Sequence, residues 1–244
     1  MPDSSQKTTP DLPLFRQIVE HIRSQINDGR LNAHSALPSE RALAEDHGVS
    51  RMTARRALEA IEAEGLAYSE ERRGRFVSPR RLTYNVNSMS NFVADAKQQN
   101  IDVEVELIES KEVTADTRLA ELLTIVEGAS IIERTRLFHS NDHTIFFETE
   151  FIAPDLCPDL RKHGSDELLT ERYGTLGHTA DIVVRMGSIK PTDAARLNVT
   201  PWQVGIEQEQ IVKDRSGKAF CFVRQIWRGE LVQFSTQAIE NRES

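Results

Sequence analysis

Hydrophobic residues at helical spacing dominate the N-terminal part of the chain. An apolar stripe over residues 14–26 stops before Gly29, which predicts a first amphipathic helix. The run LPSERALAEDHG predicts a second, short helix that Ser39 caps and Gly48 ends. A third helix is predicted after Ser50, because its apolar residues follow the i, i+3, i+4, i+7 rule. These residues are Ala54, Ala57, Leu58 and Ile61.

A hairpin is predicted after the third helix. Two short strands, Leu66–Ser69 and Arg75–Ser78, flank a turn centred on Arg73-Gly74. Three helices, with a connection of about four residues between the second and third, followed by a hairpin, form the order of a winged helix-turn-helix. We therefore predict this fold over residues 12–79, and a mobile tail over residues 1–11.

The pattern changes after a predicted linker at residues 80–87. Period-two alternation and hairpin turns predict a mostly antiparallel sheet of five or six strands with helices packed on it, an α+β domain over residues 88–240. The predicted strands are IDVEVELIESKEV, Ile131–His139, Thr144–Ile152, Gly205–Lys213, Ala219–Trp227 and Leu231–Ala238. The predicted helices are Ser90–Gln99, Thr114–Leu123, Glu167–Tyr173 and Thr192–Leu197.

Charge divides the chain in the same way. The formal net charge is −8, yet residues 10–82 hold 12 basic and 11 acidic side chains, whereas residues 83–244 hold 17 and 26. This asymmetry fits a first domain that meets a polyanion and a second that does not. The start of the chain is polar, and no apolar segment approaches the roughly 20 residues that span a bilayer. With two distant cysteines, Cys157 and Cys221, these features favour a reducing cytoplasm and no membrane contact.

The start of the third helix carries candidate DNA-binding residues. Arg51 and Arg55 are four residues apart, so they share a face, and arginine can bind guanine or phosphate with two hydrogen bonds. The hydroxyls of Ser50 and Thr53 suit phosphates. The turn at residues 72–75, Arg-Arg-Gly-Arg, suits a minor groove or a phosphate backbone.

A solvated helix is the alternative explanation of this cluster. Arg55 would then pair with Glu59, and Arg56 with Glu59 or Glu62, in surface ion pairs of little energetic value. Arg56 lies off the face that Arg51 and Arg55 share, so it is left out of the predicted interface.

The N-terminal motifs closely resemble the DNA-binding domain of GntR-type bacterial transcription regulators. The resemblance covers residues 12–79 and is carried by LPSERALA, GVSRMTARRAL and the glycine-centred wing in order. It implies base and phosphate contacts by helix residues and by the wing. The residues are Arg41, Ser50, Arg51, Thr53 and Arg55, with Arg73, Gly74 and Arg75 at the wing.

Two arginines stand out in the second domain. Arg134 and Arg136 are two apart on a predicted strand, so they share a face. Two cations on a buried face are costly unless they meet an anion. That anion is either a bound ligand or an internal acid, Glu148 or Glu150, on the partner strand.

Residues 88–240 resemble the effector domain (UTRA) of the HutC branch of that family, which has a chorismate-lyase-like fold. The matching pieces are IIERTRLFHSNDHTIFFETEFIAPDL, LLTERYG and VKDRSGKAFCFVRQIWRGELVQFS. The resemblance implies that Arg134 and Arg136 hold a phosphate or carboxylate, with Glu148 on a polar part of the effector. It assigns the remaining anion contacts to Ser88 and Ser165.

The end of this domain resembles the histidine-utilisation repressors, whose inducer is urocanate. The resemblance lies in Cys221, Arg224 and Trp227 at Cys-x-x-Arg-x-x-Trp spacing, and it implies that Trp227 contacts ligand. Core packing of Cys221 and Trp227 is the alternative.

Together these features predict a ligand-responsive regulator. We expect a homodimeric repressor, joined through its effector domains, that leaves a palindromic double-stranded operator when a small anion binds. An activator of the same architecture, an enzyme of lyase-like fold and an architectural DNA-binding protein are the alternatives. No catalytic residue, metal ligand or cofactor is predicted, since the sequence lacks the G-x-x-x-x-G-K-[ST], G-x-S-x-G and H-E-x-x-H motifs.

Overall fold

The computed structural model describes residues 12–79, 81–87, 92–141, 143–153 and 178–237. The chain divides into two units between Arg80 and Arg81. The predicted tail at residues 1–11 and the predicted helix Glu167–Tyr173 lie outside the described residues. In the described part of the chain, no helix combines the length and apolarity that crossing a membrane requires.

The first unit is a three-helix head with a two-stranded wing. Its elements are α1 (Leu14–Asn27), α2 (Glu40–His47), α3 (Arg51–Ala63), β1 (Ala67–Glu70) and β2 (Gly74–Val77). Ser39 and Ser50 cap α2 and α3, each hydroxyl accepting a backbone N–H from three residues ahead. Gly48 ends α2 at φ 61°, in the left-handed region that favours glycine.

One apolar core holds the head together. The i, i+3, i+4, i+7 residues of α3 are all buried, as predicted, and α1 and α2 both pack against this helix. The central side chains are Ile18, Val19, Ile22, Leu43, Ala54, Ala57, Leu58 and Ile61. Burying this stripe fixes which face of α3 stays exposed, and that face carries the arginines.

The second unit is built on a six-stranded antiparallel sheet with the order β4-β5-β6-β9-β8-β7. Its strands are β4 (Glu104–Thr114), β5 (Ser130–Ser140), β6 (His143–Ile152), β7 (Thr179–Ser188), β8 (Val204–Lys213) and β9 (Ala219–Trp227). Its helices are α4 (Phe92–Gln98), α5 (Thr117–Leu123) and α6 (Pro191–Leu197). A separate pair of short strands, β3 (Leu82–Asn85) and β10 (Val232–Ser235), runs parallel.

The two faces of the large sheet have different roles. Helices α5 and α6 pack on one face, against β9 and β6, over apolar residues such as Phe147 and Phe222. The opposite face carries Arg134 and Arg136 of β5 together with the acids of β6. At one end of this second face the rings of Phe138, Phe146, Trp227, Tyr84, Phe92 and Phe234 form an aromatic cluster.

Three elements differ from the sequence prediction. Residues 80–87 are not a linker over their whole length, because β3 pairs with β10 there. Strand β7 was not predicted, because Val183 interrupts its alternation of polar and apolar residues and most of the strand is exposed. Helix α5 begins only at Thr117, because β4 continues through Thr114.

Candidate functional sites

The N-terminus of α3 is a capped, exposed helix start. The Ser50 hydroxyl accepts from the Thr53 backbone N–H at 3.1 Å and lies 2.9 Å from the Thr53 hydroxyl. Arg51 and Met52 are exposed beside them. A helix start with free backbone N–H groups and two hydroxyls is suited to a phosphate.

A groove of about 470 Å³, here called the wing groove, brings together five of the eight predicted DNA-binding residues. It runs between the start of α2, the start of α3 and the wing. Its lining includes Arg41, Arg51, Arg73, Gly74 and Arg75. The first helical turn and the wing therefore present their cations to the same space.

The wing arginines are not equivalent. Arg73 pairs with the buried Glu70 at 2.6 Å, and Arg75 lies 3.2 Å from both Glu40 and Glu62 with its side chain only 23% exposed. These pairs hold the wing against the helices. Arg72, whose side chain is 91% exposed, is the wing cation most available to a phosphate. The sequence placed Arg72 in the basic wing turn, but it was not among the eight predicted DNA-binding residues.

Arg55 lies in a second groove of about 630 Å³, here called the α1 groove. Its guanidinium pairs with Glu59 at 2.9 Å, as the solvated-helix alternative predicted, and this hydrogen bond raises the pKa of Arg55. Arg56 lines the same groove and lies over the Phe15 ring, 4.1 Å from its centroid. Arg51 and Arg55 therefore line different grooves, while their i, i+4 spacing in α3 keeps them on one side of the helix.

The predicted anion site of the second unit is a buried cluster of two arginines and two glutamates. Arg136 lies directly opposite Glu148 in the sheet, and Arg134 opposite Glu150. The Arg136 Nη2 donates to Glu148 and, at 2.8 Å, to Glu150, while Arg134 Nε lies 3.7 Å from Glu150. The internal-acid alternative is therefore the arrangement in this structure.

A hydrogen-bond chain extends the cluster across the sheet. Gln225 Nε2 donates to Glu148 at 2.6 Å, and the Trp227 indole N–H donates to Gln225 Oε1 at 3.1 Å. The Trp227 ring is fully buried and stacks on Phe146 at 3.7 Å. Trp227 therefore packs in the core and also ends the polar chain. Gln225 was missed in the sequence, although it shares a strand face with Trp227.

Burial shapes the protonation of this cluster. Burial raises the pKa of Glu150; Arg136 and Arg134 oppose this rise, and Glu148 adds to it. Burial disfavours the charged Arg136 guanidinium, but Glu150 and Glu148 outweigh burial and raise its pKa. Arg136 therefore stays charged, and burial favours the protonated form of Glu150.

Other predicted residues fall elsewhere. Ser88, Ser165 and Cys157 lie outside the described residues. Arg224 belongs to the opposite face, where it pairs with Glu207 at 2.6 Å and Asp193 at 3.0 Å. Cys221 is buried in an apolar cluster with Ile132 and Ile152. Within the described segments, no group of three potential ligand side chains could hold a metal ion.

Two family models match the chain. Residues 14–77 match the gntR family of bacterial regulatory proteins, and residues 98–233, more than half of the chain, match the UTRA domain. The chain belongs to the GntR family. Within it, the UTRA domain and the similarity to histidine-utilisation-type relatives identify the HutC branch.

Relatives cover nearly all of this GntR regulator. It is 29% identical over 231 residues to the transcriptional repressor NagR of Bacillus subtilis, covering 91% of this chain and 93% of NagR. It is 33% identical to an uncharacterised HTH-type regulator, RB1450, of Rhizobium meliloti, covering 86% and 89% of the two chains. The fold matches PhnF of Mycobacterium smegmatis with a TM-score of 0.64, at 19% identity, covering 94% and 100%. The gntR family consists of regulatory proteins and NagR is a transcriptional repressor, so this GntR protein is a DNA-binding transcription regulator and not an enzyme.

Replacement of Arg51 tests the wing groove of this GntR regulator. Arg51→Ala should weaken binding to a specific duplex by about 1–3 kcal/mol, the range for one good base contact. Fluorescence anisotropy on a duplex recovered by in vitro selection with the wild-type protein would measure this. Arg30→Ala is the matched control, because Arg30 is an exposed arginine outside both grooves and pairs with Asp28. Equal affinities for the two variants would contradict the assignment.

Proposed function

We propose that this protein is a transcriptional repressor that leaves a palindromic operator when a small anionic metabolite binds its UTRA domain. The observation that carries the proposal is the buried cluster of Arg134, Arg136, Glu148 and Glu150 on the sheet face opposite α5 and α6. Three relatives named as repressors support the direction of regulation: NagR, MngR of Escherichia coli and the histidine utilization repressor of Pseudomonas putida. A repressor of chromosomal genes acts in the cytoplasm, where we place this protein.

The charge of the cluster supports an anion as the effector. Two arginines and two ionised glutamates sum to zero, so no internal charge is left uncompensated. When Glu150 takes up a proton, the cluster gains a net positive charge in a setting of low dielectric. A carboxylate or phosphate, urocanate-like or sugar-phosphate-like, then supplies the missing charge. Ser88 and Ser165 remain proposed as further anion contacts.

The proposed DNA contacts come from the head. Arg51 and Arg41 read bases or phosphates from the wing groove, with the α3 start supplying Ser50 and Thr53. Arg55 exchanges Glu59 for a phosphate, because an exposed ion pair contributes at most about 1 kcal/mol. Gly74, at φ 108°, and Arg73 shape the wing. Arg75, held by Glu40 and Glu62, contributes to this contact by orienting the wing.

We further propose that two copies pair through strand β7. It is an edge strand of the described sheet, and it exposes Val183, Val184 and Met186, the last at 77%. Antiparallel pairing of two copies about a two-fold axis at Val183 sets Asp181 of each copy opposite Arg185 of the other. Such self-complementarity is what an isologous interface requires. The dimer presents two heads to an operator with two half-sites.

Release requires that effector binding favours a second conformation by a few kcal/mol. We propose that the signal passes through Trp227, because its indole ends the polar chain and its ring lies 5.2 Å from that of Tyr84. Tyr84 belongs to β3, the first strand after the unit boundary. A ligand that breaks the Gln225–Trp227 hydrogen bond acts on this strand by direct contact.

Arg136 provides the first test of effector binding. Arg136→Lys retains the charge that Glu148 and Glu150 require but loses the planar fork, so folding and operator binding should persist. Affinity for the effector should fall by about 1.5–3 kcal/mol, the value of a hydrogen bond to a charged group. A thermal-shift screen of urocanate, hexose phosphates and alkyl phosphonates identifies the ligand, and calorimetry compares the proteins.

The matched control for that substitution is Arg118→Lys, an exposed arginine that pairs with Glu209 at 2.5 Å on the opposite face. It should bind effector like the wild type. If the wild type is stabilised by none of these anions, or if Arg136→Lys responds normally, the proposed anion site is wrong.

Protonation of Glu150 gives a pH dependence. Since its pKa is raised in the folded protein and the protonated cluster is the cation, anion binding should take up a proton. Affinity should therefore rise as the pH falls toward the pKa of Glu150 and decline above it. Calorimetry in buffers of different ionisation enthalpy measures the proton uptake. Glu150→Gln, which mimics the protonated acid, should abolish it; uptake that survives in this variant would assign the proton elsewhere.

The proposed dimer is tested at its two-fold axis. Val183→Lys places two like charges opposite each other and should weaken dimerisation roughly fivefold or more, about 1 kcal/mol. Sedimentation equilibrium measures the dissociation constant. Val126→Lys is the control, since Val126 is an exposed valine in the turn after α5, away from the β7 edge. Equal dissociation constants for the wild type and Val183→Lys would exclude this interface.

A further inference from the structure

Gln208 of β8 is a buried amide for which the described residues offer no hydrogen-bond partner. Its residue is 0% exposed, and in the described part of the chain neither Nε2 nor Oε1 has a partner. Buried polar groups in native proteins are almost always satisfied, so each exception requires a specific explanation. An amide that leaves both its donor and its acceptor unused is a strong exception.

Gln225, directly opposite Gln208 in the sheet, shows the contrast. Its Nε2 donates to Glu148 and its Oε1 accepts from Trp227, so both of its polar atoms are used. The two glutamines are of the same type on neighbouring strands of one face. Residue type, sheet face and burial are therefore shared, and the two glutamines differ in their hydrogen-bond partners.

Tyr84, a neighbouring polar side chain, does not supply the missing hydrogen bonds of Gln208. Its hydroxyl accepts from Gln210 Nε2 at 3.4 Å, and although Gln208 is close enough to affect the pKa of Tyr84, the two groups do not meet hydrogen-bond geometry. A small rotation that joined them would satisfy one amide atom of Gln208 and leave the other unused.

Gln208 lies in line with the proposed anion site. The sheet register places Arg136, Glu148, Gln225 and Gln208 in one row across four adjacent strands. Strands are about 4.8 Å apart, so the backbones of Arg136 and Gln208 are separated by about 14 Å. Both side chains are long and lie on the same face of the sheet, with Glu148 and Gln225 between them in the row.

We propose that Gln208 binds the neutral end of the effector, a group with both a hydrogen-bond donor and an acceptor such as an acylamino, carboxamide or hydroxyl group. The effector is then a small anion with a polar neutral group at its far end, and not a simple fatty acid or alkyl phosphonate. This inference rests on the proposed anion site for the other end of the ligand.

Thermal unfolding of the ligand-free, full-length protein tests whether Gln208 is unsatisfied at rest. Gln208→Met keeps the unbranched shape and removes both polar atoms, so the melting temperature should rise by about 2–4 °C. Gln225→Met is the matched control and should lower the melting temperature, because it deprives Glu148 and Trp227 of partners. A fall for Gln208→Met would overturn the proposal, since the amide would then be bonded in the resting protein.

Calorimetry with two probes tests the ligand chemistry. N-acetyl-β-alanine carries a carboxylate and an amide, and hexanoate is its hydrocarbon counterpart of equal length. The wild type should bind the amide-bearing acid about tenfold more tightly or better, and Gln208→Met should lose this preference while it binds hexanoate unchanged. Equal affinities in the wild type, a preference that survives in Gln208→Met, or binding of neither probe would overturn the role of Gln208.

The two proposals fail in different ways. If Arg136→Lys binds both probes like the wild type while Gln208→Met loses the preference, the anion site is wrong and the assignment of Gln208 stands. If Arg136→Lys loses both probes while the wild type does not distinguish them, the anion site stands and the assignment of Gln208 is wrong.

Discussion

The buried pairing of Arg136 with Glu148 and Glu150 is the constraint on which the sensor sheet depends. Moving these charges out of water is costly, and only close mutual contact offsets the cost. Because Arg136 lies opposite Glu148, and Arg134 opposite Glu150, the pairing specifies the register of β5 against β6. A slip of one residue would turn both arginines toward the helix-covered face, where Leu137 and Phe147 now pack. The four side chains that specify the strand register are thus also the candidate binding site.

The same pairing restricts what can bind. An incoming anion meets arginines that already have partners, so it must replace internal contacts and cannot simply fill an empty positive site. Replacement favours a group with the geometry of a carboxylate or phosphate, because the guanidinium fork is matched by two oxygens. The same balance gives weight to the proposed contact between Gln208 and the neutral end of the ligand. When exchange at the charged end is nearly balanced, contacts elsewhere along the row decide affinity.

The head could be predicted from the sequence almost element by element. Its helices are amphipathic, Ser39 and Ser50 cap them, and Gly48 ends one of them, so local signals and the tertiary core agree. The fold of the second unit was harder to predict from the sequence. Strand β7 is mostly exposed, and Val183 interrupts its alternation of polar and apolar residues. The four residues of β3 become a strand only through pairing with β10, far along the chain.

The sequence predicts which residues share a face, because spacing along a helix or strand decides that. It does not predict which side chains meet across the sheet, because that depends on how the strands pair. The sequence left the partner of Arg136 open between a ligand and an internal acid, since only the strand register brings Glu148 and Glu150 to it. Gln208 had no signal at all. In the run GIEQEQIVK it alternates with acids, which is typical of a wet strand face, and its burial follows from its position in the sheet.

Arginine–glutamate pairs occur in both units, and solvent gives them opposite properties. The exposed Arg55–Glu59 pair on α3 is screened by water and ions, so a DNA phosphate can replace the carboxylate at little cost. The Arg136 pairs are shielded from water, so breaking one without a substitute leaves a buried charge unpaired, which is strongly unfavourable. Under the proposed function, Arg55 therefore exchanges Glu59 for a phosphate readily, whereas a ligand at the Arg136 cluster must supply the charge and the hydrogen bonds together. Burial of the ion pairs thus makes the proposed sensor site the more demanding of the two.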